Sequence, residues 1–487
     1  MKLPRLIITA PGSGTGKTMI TCGILQALKK RGLNVSSFKC GPDYIDPMFH
    51  REAIGVNSYN LDSFLCGRNG VRELLLKNGK EADIAIIEGV MGYYDGLAGI
   101  SVQASAYDIA DLTDTPSVLV MDCRGVSVSI VPYIQGFLNY RKNSHIHGVI
   151  LNRLSPAMYG RMKQMIETQT GITVYGYVPV IKEGTLDSRY LGLKLPHEVE
   201  GLRQRLEHLA ETMEETLDLD GLIELAVQAS PEKLDSQTEE RTIEKQRTDP
   251  AGQDYRELRI GLAKDEAFCF IYQDNLDLIK SWNVTLVPFS PIHDQMLPDD
   301  LDGLLLYGGY PELYAKELSE NAGMRMQIKD MLECGMPCMA ECGGFMYLQQ
   351  EIQNEEGECF AMAGVLPGKS YHTSSLKRFG YITLKEGTVF GQKVGEIPAH
   401  EFHYYDSEMC GEAFRADKPL SVRSWRCMIS TDTLLAGYPH IHYYGNPRIL
   451  QAYLDACRKW KKKEERRDKN EDRRKEPERI DRSNKAN

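Results

Sequence analysis

Along residues 1–229, short and nearly unbroken apolar runs alternate with stretches whose apolar positions recur every three or four residues. The runs at 6–10, 84–87, 117–121, 148–151 and 173–178 read as strands, and the periodic stretches at 17–30, 71–78 and 156–168 read as helices. Runs without polar alternation suit strands covered on both faces. Their alternation with helices predicts an α/β fold with a doubly wound parallel sheet. The pattern then breaks over the polar stretch 230–256, a linker signature. It restarts from 257 with strands at 258–263, 285–289 and 303–307, a helix at 274–282 and a short apolar run at 337–340. After Cys342 shorter strands and hairpins follow, up to residue 457. The expected organisation is two α/β domains, 1–229 and 257–457, joined by a linker at 230–256. A charged tail at 458–487 is expected to stay disordered or to form a frayed helix.

Composition narrows the class. With 487 residues, 42% hydrophobic and 26% charged, the chain has material for two to four packed domains. No apolar run approaches the ~18 residues of a membrane span, and no secretory signal is read at the start. Twelve cysteines in such a chain point to reduced thiols and a cytoplasmic location, without membrane partners. The net charge of -10 hides an asymmetry. The last 30 residues carry 14 Lys+Arg against 8 Asp+Glu, so the remainder is more acidic than the total. Interleaved acids in that tail argue for a solvated segment and against nucleic-acid binding.

The sharpest local signal follows the first strand. Pro11-Gly12-Ser13-Gly14-Thr15-Gly16-Lys17-Thr18 joins a buried strand to a helix. Glycines let backbone wrap phosphates, and the helix start aims amide donors at them. Lys17 would reach the β- and γ-phosphates, and Thr18 would ligate Mg²⁺. Pro11 replaces the first glycine of the strict motif. A phosphate-bound Mg²⁺ also needs carboxylates. Glu88 ends an apolar run, where an acid is costly unless paired or metal-bound. Asp43 and Asp46 lie in 39–50, whose Gly, Pro and Asp content by itself reads as a loop.

In the second half, Cys342 stands between a predicted strand and helix within Glu341-Cys342-Gly343-Gly344. A thiol at such an elbow is exposed by the sharp turn and favoured as thiolate by the helix start. It needs a histidine base, and His400, His403, His440 and His442 all qualify by position. Gly308 and Gly309, directly after a buried strand, could supply oxyanion donors. The spacing of Cys334, Cys338 and Cys342 matches no zinc or iron–sulfur pattern.

The segments APGSGTGKT, KCGPDYIDPMFH, IIEGVMGYYDG, DSRYLGL, YGGYPELYA, ECGGFMYL, AHEFHYYD and YPHIHYYGNP together resemble the cobyrinic acid a,c-diamide synthase family. The resemblance implies an ATP-binding domain like that of dethiobiotin synthetase, joined to a class I glutamine amidotransferase domain. It implies amidation of the a and c acetates of cobyrinic acid through an acyl phosphate, with ammonia passed between domains. ATP, Mg²⁺, glutamine and the macrocycle would be its small-molecule partners, and the chain would act as a monomer or a homodimer. Thr18, Asp43 and Glu88 match the family's Mg²⁺-nucleotide positions. Asp46 and Asp95 match acids near the substrate carboxylate and the phosphoryl-transfer centre. Asn152 matches a base-recognition position, and Tyr44 and Ile45 a loop facing the macrocycle. Cys342 matches the glutaminase nucleophile and His440 its activating histidine. His442 stands where most class I amidotransferases carry a glutamate, so a Cys–His dyad or an acid from elsewhere is implied. Hydrogenobyrinic acid or a nickel sirohydrochlorin is an alternative substrate. A nucleotide-switch ATPase is an alternative of another class, disfavoured by Gly12 where such proteins carry a second lysine.

Overall fold

The structure, a computed structural model, describes residues 3–181, 188–189, 192–193, 199, 201–229 and 255–483. Most of the expected linker therefore lies outside the described residues. The chain forms two compact units, Met1–Ile243 with Tyr272–Asp274, and Glu244–Ile271 with Asn275–Asn487.

The first unit is built on a seven-stranded sheet. Its strands are β1 (Arg5–Thr9), β2 (Val35–Cys40), β3 (Asn57–Leu61), β4 (Ile84–Glu88), β5 (Ser117–Asp122), β6 (Ile146–Asn152) and β7 (Thr173–Val178). Their spatial order is β3-β2-β4-β1-β5-β6-β7, and every pair is parallel. This is the doubly wound sheet expected from the apolar runs. Helix α1 (Lys17–Lys30) buries Ile20, Ile24 and Leu28, and packs on α7 (Leu202–Thr216) through Leu209 and Met213. Ligands of such sheets sit beyond the carboxyl ends of the strands where the order reverses. Here β1 is flanked by β4 and β5, and the glycine loop leaves its carboxyl end.

Two strands of this sheet escape a search for apolar runs. β2 reads VSSFKC and β3 reads NSYNL, yet β2 is buried throughout. Their polar groups are paired internally. Ser36 donates to the Asn78 carbonyl (3.0 Å), Ser37 meets His50 Nδ1 (2.9 Å), and Asn60 donates to the carbonyls of Gly41 and Asp43 (3.0 and 2.7 Å). The stretch expected as a loop at 39–50 is instead the end of β2, a tight turn and the short helix α2 (Ile45–Phe49), which continues as one π-helical turn, His50–Ile54. Asp43 starts α2 by accepting the amides of Ile45 (2.9 Å) and Asp46 (3.0 Å).

The second unit centres on a six-stranded sheet. It contains Arg259–Ala263, Thr285–Phe289, Gly303–Leu306, Cys338–Glu341, Ile429–Ser430 and Leu434–Gly437. The strands are parallel except for the antiparallel Ile429–Ser430 at one edge. An antiparallel five-stranded sheet includes Ile397–His403, paired with the two-residue strand His440–Ile441. The terminal helix Arg448–Ser483 buries Tyr453, Leu454 and Cys457. It carries this packing past residue 457: Trp460 is buried and Lys461 reaches Asp302 at 3.3 Å. A tryptophan that reads as solvated within a charged run is thus packed against the unit. The backbone beyond it is helical as far as Ser483.

Candidate functional site

The glycine loop turns sharply enough that Gly14 and Gly16 adopt φ of 75° and 94°. At Gly16 a side chain is excluded for a second reason, because a Cβ there would stand 2.3 Å from Asn152 Nδ2. Asn152, at the end of β6, donates to the Thr15 carbonyl (2.6 Å), and Thr15 donates to the Gly12 carbonyl (3.1 Å). Arg153 clamps the loop from outside, bonding to the Gly14 carbonyl (3.1 Å) and to Asp122 (2.7 Å). A cleft of about 660 Å³ opens here, lined by Ser13, Lys17, Thr18, Lys39, Asp43 and Asn152 among others. Lys17 Nζ donates to the carbonyls of Gly12 (2.9 Å) and Met91 (2.6 Å). Burial, reinforced by repulsion from Lys39, pulls its ammonium down to about 8.

Beneath the cleft lies a buried ionic cluster. The β2–β4 register sets Lys39 beside Glu88. Lys39 Nζ bonds Asp46 Oδ2 (2.5 Å) and Glu88 Oε1 (2.8 Å), and Thr18 donates to the same Glu88 oxygen (2.6 Å). Burial pushes the Glu88 carboxyl up to about 7 although Lys39 opposes it. Burial also acts on Asp46, but there Lys39 prevails and holds the carboxyl below its ordinary value. Asp43 is raised to about 6 by burial and by repulsion from Asp46. His50 Nε2 lies 3.5 Å from Glu88 Oε2, and burial lowers its imidazole to about 4, so the ring is neutral. Glu88 Oε2 is buried and accepts no hydrogen bond. Thr18 and Asp43 line the cleft, and with Glu88 they are oxygen donors of the hard kind that Mg²⁺ prefers.

In the second unit, Cys342 follows strand Cys338–Glu341 and precedes the helix Gly343–Leu348. Its backbone is strained, with φ 48° and ψ -106°, as befits a residue forced out at an elbow. Burial keeps its thiol well above its ordinary value. His440 packs beside the elbow. A Cβ at Gly308 would stand 2.7 Å from His440 Cε1 and 3.3 Å from Cys342 Cβ, so Gly308 is the spacer that lets ring and thiol share one surface. The His440 strand is held by Asn275, which donates to the Ile441 carbonyl and accepts from the Tyr443 amide, each at 2.8 Å. His400 lies across from His440 in the register, while His403 stacks on Tyr438 and contacts the Tyr405 carbonyl. Glu341 Oε2 lies 3.6 Å from His440 Nδ1. Burial raises that carboxyl and the imidazole opposes the shift.

Two family profiles cover the units. Residues 6–189 match the CobQ/CobB/MinD/ParA nucleotide binding domain, and residues 259–448 match the CobB/CobQ-like glutamine amidotransferase domain. The chain is also similar over nearly its whole length to proteins named cobyrinate a,c-diamide synthase. That of Caldanaerobacter subterraneus is 38% identical, covering 93% of this chain and 98% of the relative. That of Listeria innocua is 39% identical (93% and 99%), and that of Salmonella typhimurium 36% (93% and 98%). The chain belongs to the cobyrinate a,c-diamide synthase family.

Of the residues that match family positions, Thr18, Asp46 and Glu88 gather into one cluster with Asp43 beside Asp46. Asp95 lies on the exposed loop after β4, where it accepts the Gly92 amide (2.9 Å) and its charge acts on Lys17. Tyr44 and Ile45, expected to face the macrocycle, are buried, Ile45 to 3% exposure. Asn152 braces the phosphate loop through the Thr15 carbonyl and accepts the Arg153 amide (2.9 Å). The structure adds three side chains to these clusters that no motif marks: Lys39, His50 and Glu341. Lys39 stands near the end of β2, whose polar sequence VSSFKC hides its strand character. Glu341 was visible beside Cys342, and only the fold turns its carboxylate to His440.

Lys39→Met removes the cation from between two buried carboxylates. We expect a loss of about 3–5 kcal/mol in urea unfolding at pH 8. The deficit should shrink toward pH 6, because Glu88 without its partner takes up a proton as pH falls. A variant as stable as wild type at pH 8 would contradict the ionic reading of the cluster.

Proposed function

We infer that the protein is a ligase that uses ATP and glutamine to amidate the a and c acetates of cobyrinic acid. The observation that carries this reading is the presence of both half-sites in one chain of this family: a phosphate loop over a carboxylate–threonine cluster, and a cysteine elbow with a histidine against it. In the second unit, Cys342 Sγ attacks the glutamine carboxamide while His440 takes the thiol proton. The general base is needed, since burial holds the resting thiol protonated. The amides of Gly309 and Gly343, with Gly308 as spacer, are suited to receive the oxyanion. His440 returns the proton to the departing ammonia, and water hydrolyses the thioester to glutamate. In the first unit, a substrate carboxylate attacks the γ-phosphate of ATP, releasing ADP and forming an acyl phosphate. Ammonia from the second unit then displaces phosphate and leaves the amide. Lys17 and the amides of Gly12, Ser13, Gly14, Thr15 and Gly16 would bind the phosphates. Thr18, Asp43 and Glu88 would hold Mg²⁺, which would neutralise phosphate charge. Asp46 and Asp95 flank the path of the incoming carboxylate, and Asn152 meets the base.

Glu341 supplies what His442 cannot. A carboxylate 3.6 Å from His440 Nδ1 orients the ring and stabilises its charged form, the part a glutamate two residues after the histidine plays in other class I enzymes.

Three measurements bear on this reading. Cys342→Ala should abolish amidation with glutamine and retain it with added ammonia, scored by mass spectrometry of cobyrinic acid for two acid-to-amide changes; loss with both nitrogen sources would refute the division of labour. Glu341→Gln should lower glutaminase kcat by roughly 100-fold or more. The KM for glutamine should stay near wild type, because Glu341 acts on the ring and not on the substrate, and Glu341→Asp should restore part of the lost kcat. Finally, Lys17 is charged below pH 8 and neutral above it. ATP affinity should therefore be level to about pH 8 and weaken beyond it, and Lys17→Ala should abolish that dependence.

A further inference from the structure

A second cleft of about 570 Å³ lies in the first unit, between the loop that follows β4 and helix α5 (Ile130–Asn139). Its floor is aromatic. The Tyr94 ring lies 5.6 Å from Phe137, nearly parallel to it, and 4.8 Å from Tyr140. The Tyr94 hydroxyl donates to the Phe137 carbonyl at 2.8 Å, and Tyr107 backs the ring at 5.2 Å. These rings hold one another, so the surface is formed before any ligand arrives. It is also open: Tyr133 is 52%, Tyr140 61% and Ile100 80% exposed. Large apolar groups exposed around one concavity mark a binding surface, and stacked rings favour a conjugated ligand.

The charge at the rim is equally specific. The Arg141 guanidinium lies 5.1 Å from the Tyr140 ring centre and 5.9 Å from that of Tyr107. Its Nε is shielded from solvent and makes no hydrogen bond. Arg141 forms no ion pair among the described residues. A guanidinium held by ring faces, with its donors unengaged, is a ready receptor for a carboxylate.

Position completes the argument. Asp95 lines this cleft and braces Gly92, while Lys17 of the phosphate loop bonds the neighbouring Met91 carbonyl. One short segment, 91–95, thus has the phosphate-binding lysine on one side and the aromatic floor on the other. Tyr44 and Ile45 are buried and leave little surface for a large ligand.

We propose that this cleft binds one face of the polycarboxylate macrocycle: the rings of Tyr94, Tyr133 and Tyr140 pack on its conjugated system, and Arg141 pairs with one peripheral carboxylate. Another peripheral acetate is thereby directed across segment 91–95 toward the phosphate loop. The proposal rests on the amidation reading above for the identity of the ligand.

Gly136 gives a clean test. It lies on α5 in the cleft wall, and a Cβ there meets nothing within 4 Å. Gly136→Phe should therefore fold and fill the cleft, with Gly136→Ala as the small control. The full-length protein is titrated with cobyrinic acid by its visible absorbance, and its amidation kinetics and sedimentation are recorded. Gly136→Phe and Arg141→Ala should each weaken macrocycle binding and raise its KM at least 10-fold, with ATP affinity retained, and Gly136→Ala should match wild type. Wild-type binding in both test variants overturns the proposal. So does conversion of a dimer to a monomer by Gly136→Phe with macrocycle binding unchanged, which would give the cleft to a second copy of the chain. So does a wild-type protein that does not bind the macrocycle. If the wild type binds it through Gly136 and Arg141 but forms no amide, the cleft stands and the amidation reading fails.

Discussion

The ammonium of Lys39, buried between Asp46 and Glu88, is the constraint on which the first unit depends. Three chain segments end at this cation: β2 brings Lys39, β4 brings Glu88, and α2 brings Asp46. Thr18, the first turn of α1, is tied to the same Glu88 oxygen. Two buried carboxylates without a cation would repel each other and be driven to protonate. The lysine between them offsets that cost: it holds Asp46 charged and limits the rise of Glu88, beneath a cleft whose wall carries Lys17. The opposition of these charges also explains why Glu88 and Asp46 shift in opposite directions though both are buried.

The second unit solves a different problem, bringing a thiol and an imidazole together from separate sheets. Cys342 comes from the end of a central parallel strand, and His440 from an antiparallel strand paired with Ile397–His403. The two meet over Gly308, where any side chain would push the ring away. Asn275 fixes the His440 strand through backbone bonds, and Glu341 reaches the ring from the residue before the nucleophile. One strand end thereby delivers both the sulfur and the carboxylate. Strain at Cys342 is local, offset by the hydrogen bond its N–H donates to the Gly437 carbonyl and by the helix it starts.

Much of this was legible in the chain itself. The apolar runs located β1, β4, β5, β6 and β7, and the glycine loop and the cysteine elbow stood at strand ends where chemistry is expected. The reading failed where polar side chains are buried and satisfied internally. β2 and β3 carry Ser36, Ser37, Lys39 and Asn60, whose partners lie on other elements, so neither strand shows an apolar period. The same blindness turned the start of α2 into a loop, because Asp43 and Pro47 serve as turn residues and as helix-start residues alike. Trp460 failed the other way: its charged neighbours face solvent on a helix whose opposite side is still packed.

What the sequence determines alone is local: strand and helix period, the phosphate loop, the nucleophile's elbow, and a family likeness carried by many short motifs. These rest on interactions between near neighbours, which leave a pattern in the order of residues. The tertiary structure alone decides which of four histidines meets Cys342, that Glu341 stands beside it, that Lys39 neutralises Asp46 and Glu88, and that Tyr94, Tyr140 and Arg141 line one cleft. Each of those depends on strand register and on burial. The charge, distance and desolvation of a group are set by what the fold places around it, and no spacing along the chain records that.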